Sequence, residues 1–167
     1  MVRRFLVLLV RRFLAFLVAI ATMVVLGSTA HSLFVQHAWL NAAAQTAAAS
    51  GSPPFAVAIA AGERIDWILH DLVGLQPLYG ALVAIALLLG LLTAGAVARF
   101  TGGRVAIFAI AGASCILAMF SILKLTLGTV GIFGARGAAG LGAQMLAGLV
   151  AAVLFAVVTR GRKPASA

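Results

Sequence analysis

The sequence predicts an all-α integral membrane protein, a four-transmembrane-helix bundle with an amphipathic interfacial helix between spans one and two. Hydrophobic residues make up 64% of the 167 residues and charged residues only 9%, whereas soluble domains are about half apolar and a quarter charged. The apolar residues also form long continuous runs, and most Lys and Arg residues stand at the ends of those runs. Because backbone polar groups in hydrocarbon must be hydrogen-bonded within the protein, such runs indicate helices.

Each apolar run is long enough for a membrane-spanning helix, which needs about 20 residues. A basic cytoplasmic or interfacial segment, residues 1–12, precedes the first span, and a basic cytoplasmic tail, residues 160–167, follows the last. Pro77 opens the second run, where a proline suits the first turn of a helix. The predicted spans are residues 13–35, 77–98, 105–127 and 138–159.

The distribution of basic residues predicts the orientation of the four spans. Nine of the twelve Lys and Arg residues fall on one side of such a topology: Arg3, Arg4, Arg11, Arg12, Arg99, Arg104, Arg160, Arg162 and Lys163. The other side keeps Arg64, Lys124 and Arg136. By the positive-inside rule both termini are expected in the cytoplasm, with residues 36–76 facing outward. The expected location is a bacterial inner membrane.

The first span has an alternative interpretation as a cleaved signal peptide. A basic start, an apolar stretch and the small residues Ser28, Thr29 and Ala30 resemble a signal sequence with a cleavage site after Ala30. The apolar pattern continues past that site through residues 33–35. We therefore favour an uncleaved first span.

All three acidic residues of the chain lie in residues 62–80, GERIDWILHDLVGLQPLYG. At 100° per residue, Glu63, Asp66 and His70 lie on one side of a helix. The opposite arc holds six aliphatic side chains: Ile65, Ile68, Leu69, Leu72, Val73 and Leu75. This pattern predicts an amphipathic helix over about 55–74 that ends at Gly74. We expect it to lie on the outer membrane surface with Trp67 and Tyr79 near the headgroups.

The polar side of this helix is the candidate functional cluster: Glu63, Arg64, Asp66, His70 and Asp71. Asp66 and His70 are four residues apart and can interact directly, in a hydrogen bond or at a shared cation. A metal site with His31, His37 and His70 is a weak alternative, because no two histidines have a tight ligand spacing. A solvated polar face with local salt bridges is the favoured explanation. We identify no catalytic residue and expect no cofactor.

Small residues at four-residue spacing predict close helix packing inside the membrane. In the fourth span, Gly140, Gln144, Gly148 and Ala152 form one stripe, beside Ala139, Ala143, Ala147 and Ala151. Gln144 is the one strongly polar residue well inside that span, and an interhelical hydrogen bond is its expected role. Lys124, near the end of the third span, is expected to extend its ammonium to the interface.

These features favour a non-enzymatic accessory or assembly subunit of a larger membrane complex. One alternative is a small oligomeric transporter or channel lined by Gln144, Lys124 and the acidic cluster. Another is a membrane enzyme that acts on lipid or quinone at the outer interface through His70, Asp66 and Asp71. The expected partners are a bilayer with anionic headgroups and a membrane protein or second copy of the chain. Binding of nucleic acid is not expected, because the basic residues stand between apolar runs and are not clustered on a polar face.

Overall fold

The computed structural model describes residues 2–51, 59–128 and 137–160, and within them every regular element is a helix. The helices are α1 (Val2–Ala49), α2 (Ala61–Thr101), α3 (Arg104–Leu127) and α4 (Ala138–Val158). All four are long and apolar enough to cross a membrane. The predicted all-α class is confirmed for the described residues, with four helices that can serve as membrane spans by length and composition.

The four helices form a ring in which each packs against two neighbours: α1 against α2 and α4, and α3 against α2 and α4. The core between them combines large apolar side chains with small ones, including Met23, Leu87, Phe108 and Ala151. The link between α2 and α3 consists of Gly102 and Gly103, with φ angles of 70° and 59°. Glycine adopts this left-handed backbone without steric cost, so the chain reverses within two residues.

The helices differ twofold in length, and this difference determines the shape of the molecule. With 24 and 21 residues, α3 and α4 are about 36 and 32 Å long at 1.5 Å per residue. They match the hydrocarbon core of a bilayer, which is about 30 Å thick. In contrast, α1 has 48 residues and α2 has 41, so they are about 72 and 62 Å long. Both therefore extend well beyond the ends of α3 and α4.

The structure does not show a separate amphipathic helix between spans one and two. From Ala61 onward the chain is a single helix that passes through Gly74 and Pro77 into the second span; residues 55–58 of the predicted helix lie outside the described residues. Gly74 does not adopt the positive φ of a helix-ending glycine. Pro77 removes one backbone donor, a loss that membrane helices tolerate when neighbouring helices pack around the site.

The first helix is also continuous across its predicted boundaries. α1 includes the basic segment 1–12 from Val2 onward, as well as the predicted span 13–35, and then continues to Ala49. The uncharged, alanine-rich residues after the span favour helix by intrinsic propensity, which explains the extension. The motif VRRFL occurs twice in the chain, at residues 2–6 and 10–14, and both copies belong to the start of this one long helix. Ser28 of the signal-like motif is buried in the middle of that helix.

The extended ends of α1 and α2 pack together as an arm, which we define as residues 36–49 of α1 and 61–73 of α2. Gln144 of α4 donates a hydrogen bond to the Gly27 carbonyl, which fixes the register of α4 on α1. Because Gln144 lies about 9 Å from the start of α4, that start is level with about residue 33 of α1. Of the four helices that the structure describes, α1 and α2 alone extend beyond this level and form the arm.

Candidate functional sites

Two contacts join the helices of the arm. The side-chain amide of Gln36 donates to the Arg64 carbonyl oxygen at 3.2 Å. The rings of Trp39 and Trp67 meet edge to face, with centroids 6.0 Å apart, a favoured geometry for aromatic pairs. Trp67 thus packs edge to face on α1. These contacts fix which face of α2 is turned away from α1.

The predicted polar cluster divides between two sides of α2. Glu63, Asp66 and His70 are exposed, and they share one side of the helix as their angular positions indicate. Arg64 and Asp71 are only half-exposed. The Arg64 guanidinium donates to the Ile59 carbonyl at 3.3 Å, and Asp71 interacts electrostatically with His31 of α1. The five residues therefore do not converge on one pocket.

The three histidines differ in their exposure to solvent. His31 is buried, whereas His37 and His70 are exposed. Among the described residues, no three His, Cys, Asp or Glu side chains come close enough to hold a metal ion. Asp71 of α2 is near enough to His31 of α1 for their charges to interact, a pair that the sequence did not connect.

The apolar arc of the predicted amphipathic helix is divided in the same way. Ile68 and Leu72 are half-buried toward the rest of the protein. Ile65, Leu69 and Val73 keep 57%, 53% and 75% of their surface exposed. They are spaced four residues apart and form a stripe along one side of the arm. The exposed side of the arm therefore combines an apolar stripe with acidic and histidine side chains.

Gln144 joins three helices in the interior of the bundle. Its carbonyl oxygen accepts a hydrogen bond from the Tyr79 hydroxyl at 2.7 Å, and its amide donates to the Gly27 carbonyl at 2.9 Å. Gln144 and Tyr79 are 1% and 3% exposed. The predicted interhelical hydrogen bond of Gln144 is present, but Tyr79 is inside the bundle and not at the headgroups.

Buried polar side chains also lie along the inner face of α1, beginning one residue after Gly27. Ser28, Ser32 and Gln36 are spaced four residues apart, and all three are buried. The Gln36 amide also donates to the Ser32 hydroxyl at 3.3 Å. The Ser28 hydroxyl and the Gln36 carbonyl oxygen have no hydrogen-bond partner within the part of the chain that the structure describes. Lys124, the other predicted intramembrane polar residue, is exposed in the last turn of α3.

Arginines bind the last turn of α4 at the opposite end of the bundle. Arg11 of α1 donates to the carbonyl oxygens of Val158 and Arg160. Arg104 of α3 donates to the Thr159 hydroxyl at 2.6 Å. Cations near a helix C-terminus satisfy its free carbonyls and interact favourably with the helix dipole. This end of the bundle is therefore basic, whereas the arm at the other end carries every side-chain carboxylate.

Comparison of the chain with protein-family models, with curated proteins and with solved structures gives no match.

Proposed function

We propose that this protein is a non-enzymatic accessory or assembly subunit of a larger membrane complex and that it binds its partner through the arm. The observation behind this proposal is the apolar stripe of Ile65, Leu69 and Val73, which is more than half exposed along the arm. Lipid would cover such a stripe next to α3 and α4. Beyond their ends, another protein surface is the natural cover for contiguous apolar side chains.

The residues beside the stripe indicate the chemistry of the partner. Asp66 and His70 alternate with the stripe along α2, and Glu63 lies one turn away on the same exposed side. A partner surface that fits the arm has an apolar groove for a helix, a common mode of recognition. Lys or Arg residues on the rim of that groove would face the carboxylates and fix the orientation.

The proposed orientation follows the distribution of charge. Both termini lie in the cytoplasm of a bacterial cell, and the arm extends from the outer face of the inner membrane. The basic ends of α1 and α4, joined by Arg11, support this orientation, because basic residues collect on the cytoplasmic side of membrane proteins. The three carboxylates in the arm are compatible with it.

Affinity purification from detergent-solubilised membranes, quantified by mass spectrometry, tests the proposal. We expect a membrane protein at fixed stoichiometry with the wild-type chain. In the triple variant Ile65→Ser, Leu69→Ser, Val73→Ser the recovery of the partner is expected to fall at least about tenfold. A tenfold change needs only about 1.4 kcal/mol, and the few residues that dominate binding lie at the centre of an interface. The serines leave the net charge unchanged.

The control changes exposed residues on the other helix of the arm, Ala44→Ser with Ala48→Ser, and is expected to retain the partner. The proposal is contradicted if the wild-type chain is recovered alone, or if the triple variant retains its partner at the wild-type ratio. Recovery only as a complex of the chain with itself would replace the accessory subunit by a homo-oligomer.

A further inference from the structure

An open cleft of about 800 Å³ lies at the basic end of the bundle, opposite the arm. All four helices contribute to its wall. Most of the wall is apolar, with Phe13 of α1, Leu91 of α2 and Phe108 of α3 among its side chains. Its size lies within the range of about 300–1,000 Å³ that is typical of small-molecule sites in proteins.

Three arginines from three helices line this cleft: Arg12 of α1, Arg99 of α2 and Arg104 of α3. Arg104 is held in place by its hydrogen bond to Thr159 and by the Phe108 ring, whose centroid is 4.6 Å from the guanidinium carbon. Arg12 is close enough to Arg104 for their charges to repel. Neither Arg12 nor Arg99 has a hydrogen-bond or ion-pair partner within residues 2–51, 59–128 and 137–160.

The protein supplies no side-chain carboxylate to neutralise these arginines. Its only acidic side chains, Glu63, Asp66 and Asp71, belong to the arm at the other end of the bundle. Arg12 and Arg99 are exposed, and three guanidinium groups on one cleft attract an anion more strongly than one does. Because the side chains of the protein offer no carboxylate at this end, an anionic partner for the arginines is another molecule.

We propose that the cleft binds one anionic glycerophospholipid, with its phosphate held by Arg12, Arg99 and Arg104 and an acyl chain against the apolar wall. Guanidinium groups bind phosphate oxygens through paired, charge-assisted hydrogen bonds. Free phosphate would neutralise the arginines but leave the apolar wall uncovered. A zwitterionic lipid would cover the wall but bring its own cation to the arginines. Basic pockets between membrane helices commonly bind anionic lipid headgroups.

Binding of lipids to the purified full-length protein, measured by native mass spectrometry during titration, tests this site. The probes are phosphatidylglycerol, phosphatidylcholine of the same acyl length, and inorganic phosphate. We expect one saturable phosphatidylglycerol that binds at least about tenfold more tightly than phosphatidylcholine, with no comparable retention of inorganic phosphate. A difference of one charge-assisted hydrogen bond is enough for that ratio.

Two variants probe the two parts of the site. Arg12→Gln with Arg99→Gln leaves the structural contacts of Arg104 intact and is expected to reduce the preference for phosphatidylglycerol about tenfold or more. Gly95→Leu adds a side chain inside the cleft, where a Cβ would meet only the Phe108 ring at 4.0 Å. It is expected to weaken binding of phosphatidylglycerol while the charge stays the same. Arg3→Gln with Arg160→Gln removes the same two charges at exposed positions outside the cleft and serves as the control for net charge.

The proposal is overturned if the wild-type protein binds the two lipids equally, or if many phosphatidylglycerol molecules bind without a distinct first site. It is also overturned if Arg3→Gln with Arg160→Gln reduces the preference as much as Arg12→Gln with Arg99→Gln, since the arginines would then act only through net charge. If Arg12→Gln with Arg99→Gln does not fold, as judged by circular dichroism, two measurements still test the proposal. They are the lipid preference of the wild-type protein and the affinity of Gly95→Leu for phosphatidylglycerol.

Discussion

The Gly112→Leu variant is expected to lose most of the stability of the bundle, because α3 and α4 touch through their backbones at this position. A Cβ on Gly112 would overlap the Gly148 carbonyl oxygen and lie 2.5 Å from the Ala152 Cβ. Neither of these groups can rotate away, so α3 and α4 must separate. Overpacking a core costs about 1–3 kcal/mol and sometimes more. We expect about 3 kcal/mol or more here, because a whole helix interface opens.

Thermal unfolding in detergent, followed by circular dichroism, measures this effect. Gly142→Leu is the matched control, since a Cβ at Gly142 meets no atom within 4 Å. Leucine also has a better helix propensity than glycine by somewhat under 1 kcal/mol. The control is therefore expected to melt at or slightly above the wild-type temperature. If Gly112→Leu unfolds at the wild-type temperature, α3 and α4 do not pack through Gly112 and Gly148.

The Gly27→Leu variant is expected to disrupt the hydrogen bonds that connect α1, α2 and α4. A Cβ at Gly27 would overlap the Tyr79 hydroxyl and lie 2.7 Å from the Gln144 carbonyl oxygen. Tyr79 and Gln144 must move apart or move together away from α1. With buried polar groups left unpaired at about 1–3 kcal/mol each, the variant is expected to lose about 2–4 kcal/mol.

The stability loss of Tyr79→Phe serves as a comparison for that of Gly27→Leu, because Tyr79→Phe removes a single hydrogen bond and keeps the aromatic ring. Interhelical hydrogen bonds in membranes contribute about 0.6–2 kcal/mol, so its expected loss is smaller. Gly74→Leu serves as the control on α2, because a Cβ there meets no atom within 4 Å. Equal stability of Gly27→Leu and the wild-type protein in urea or thermal unfolding would contradict this three-helix connection.

The spans were predictable because apolar runs of sufficient length leave few alternatives in a membrane. The inner face of α4 was also predictable: Gly140, Gln144, Gly148 and Ala152 are all buried. The continuity of α2 was not predictable. Gly74 and Pro77 are local signals for a helix boundary, and such signals yield when a neighbouring helix packs on both sides of them. Here the neighbour is α1, which contacts Arg64 and Trp67 before Gly74 and lies against Tyr79 after Pro77.

The contacts of individual polar residues could not be predicted from the sequence. They depend on how neighbouring helices are aligned along their axes, and the apolar pattern does not specify that alignment. Tyr79 has the sequence position of an interfacial aromatic residue, two residues into the second apolar run. Its hydroxyl finds Gln144, 65 residues later in the chain. The sequence offered one indication of the contact at Gly27, namely that a small residue lies inside the first predicted span. That signal indicates close approach but does not name the approaching group.

The convergence of three arginines on one cleft could not be predicted from the sequence either. Arg12, Arg99 and Arg104 stand at the ends of three apolar runs, where each serves as an orientation signal. Their convergence on one cleft arises from the ring packing of the helices. Charge counts along the chain therefore predicted the basic end of the bundle but not a lipid-sized cavity within it.

Labelling of single cysteines with a membrane-impermeant maleimide tests the central claim most directly, namely that α1 and α2 continue together beyond the outer face of the membrane. In a Cys115→Ala background, Ala44→Cys reports on α1 in the arm, Asp66→Cys on α2 in the arm, and Thr101→Cys on the opposite end of α2; all three positions are exposed. Ile110→Cys reports on the lipid-facing surface of α3. Right-side-out membrane vesicles are labelled before and after permeabilisation.

We predict that Ala44→Cys and Asp66→Cys are labelled in intact vesicles, Thr101→Cys only after permeabilisation, and Ile110→Cys in neither case. Labelling of both arm positions from the same side as Thr101→Cys would contradict the orientation. Protection of Ala44→Cys and Asp66→Cys in both conditions would place the arm within the membrane and contradict its role as an exposed docking surface.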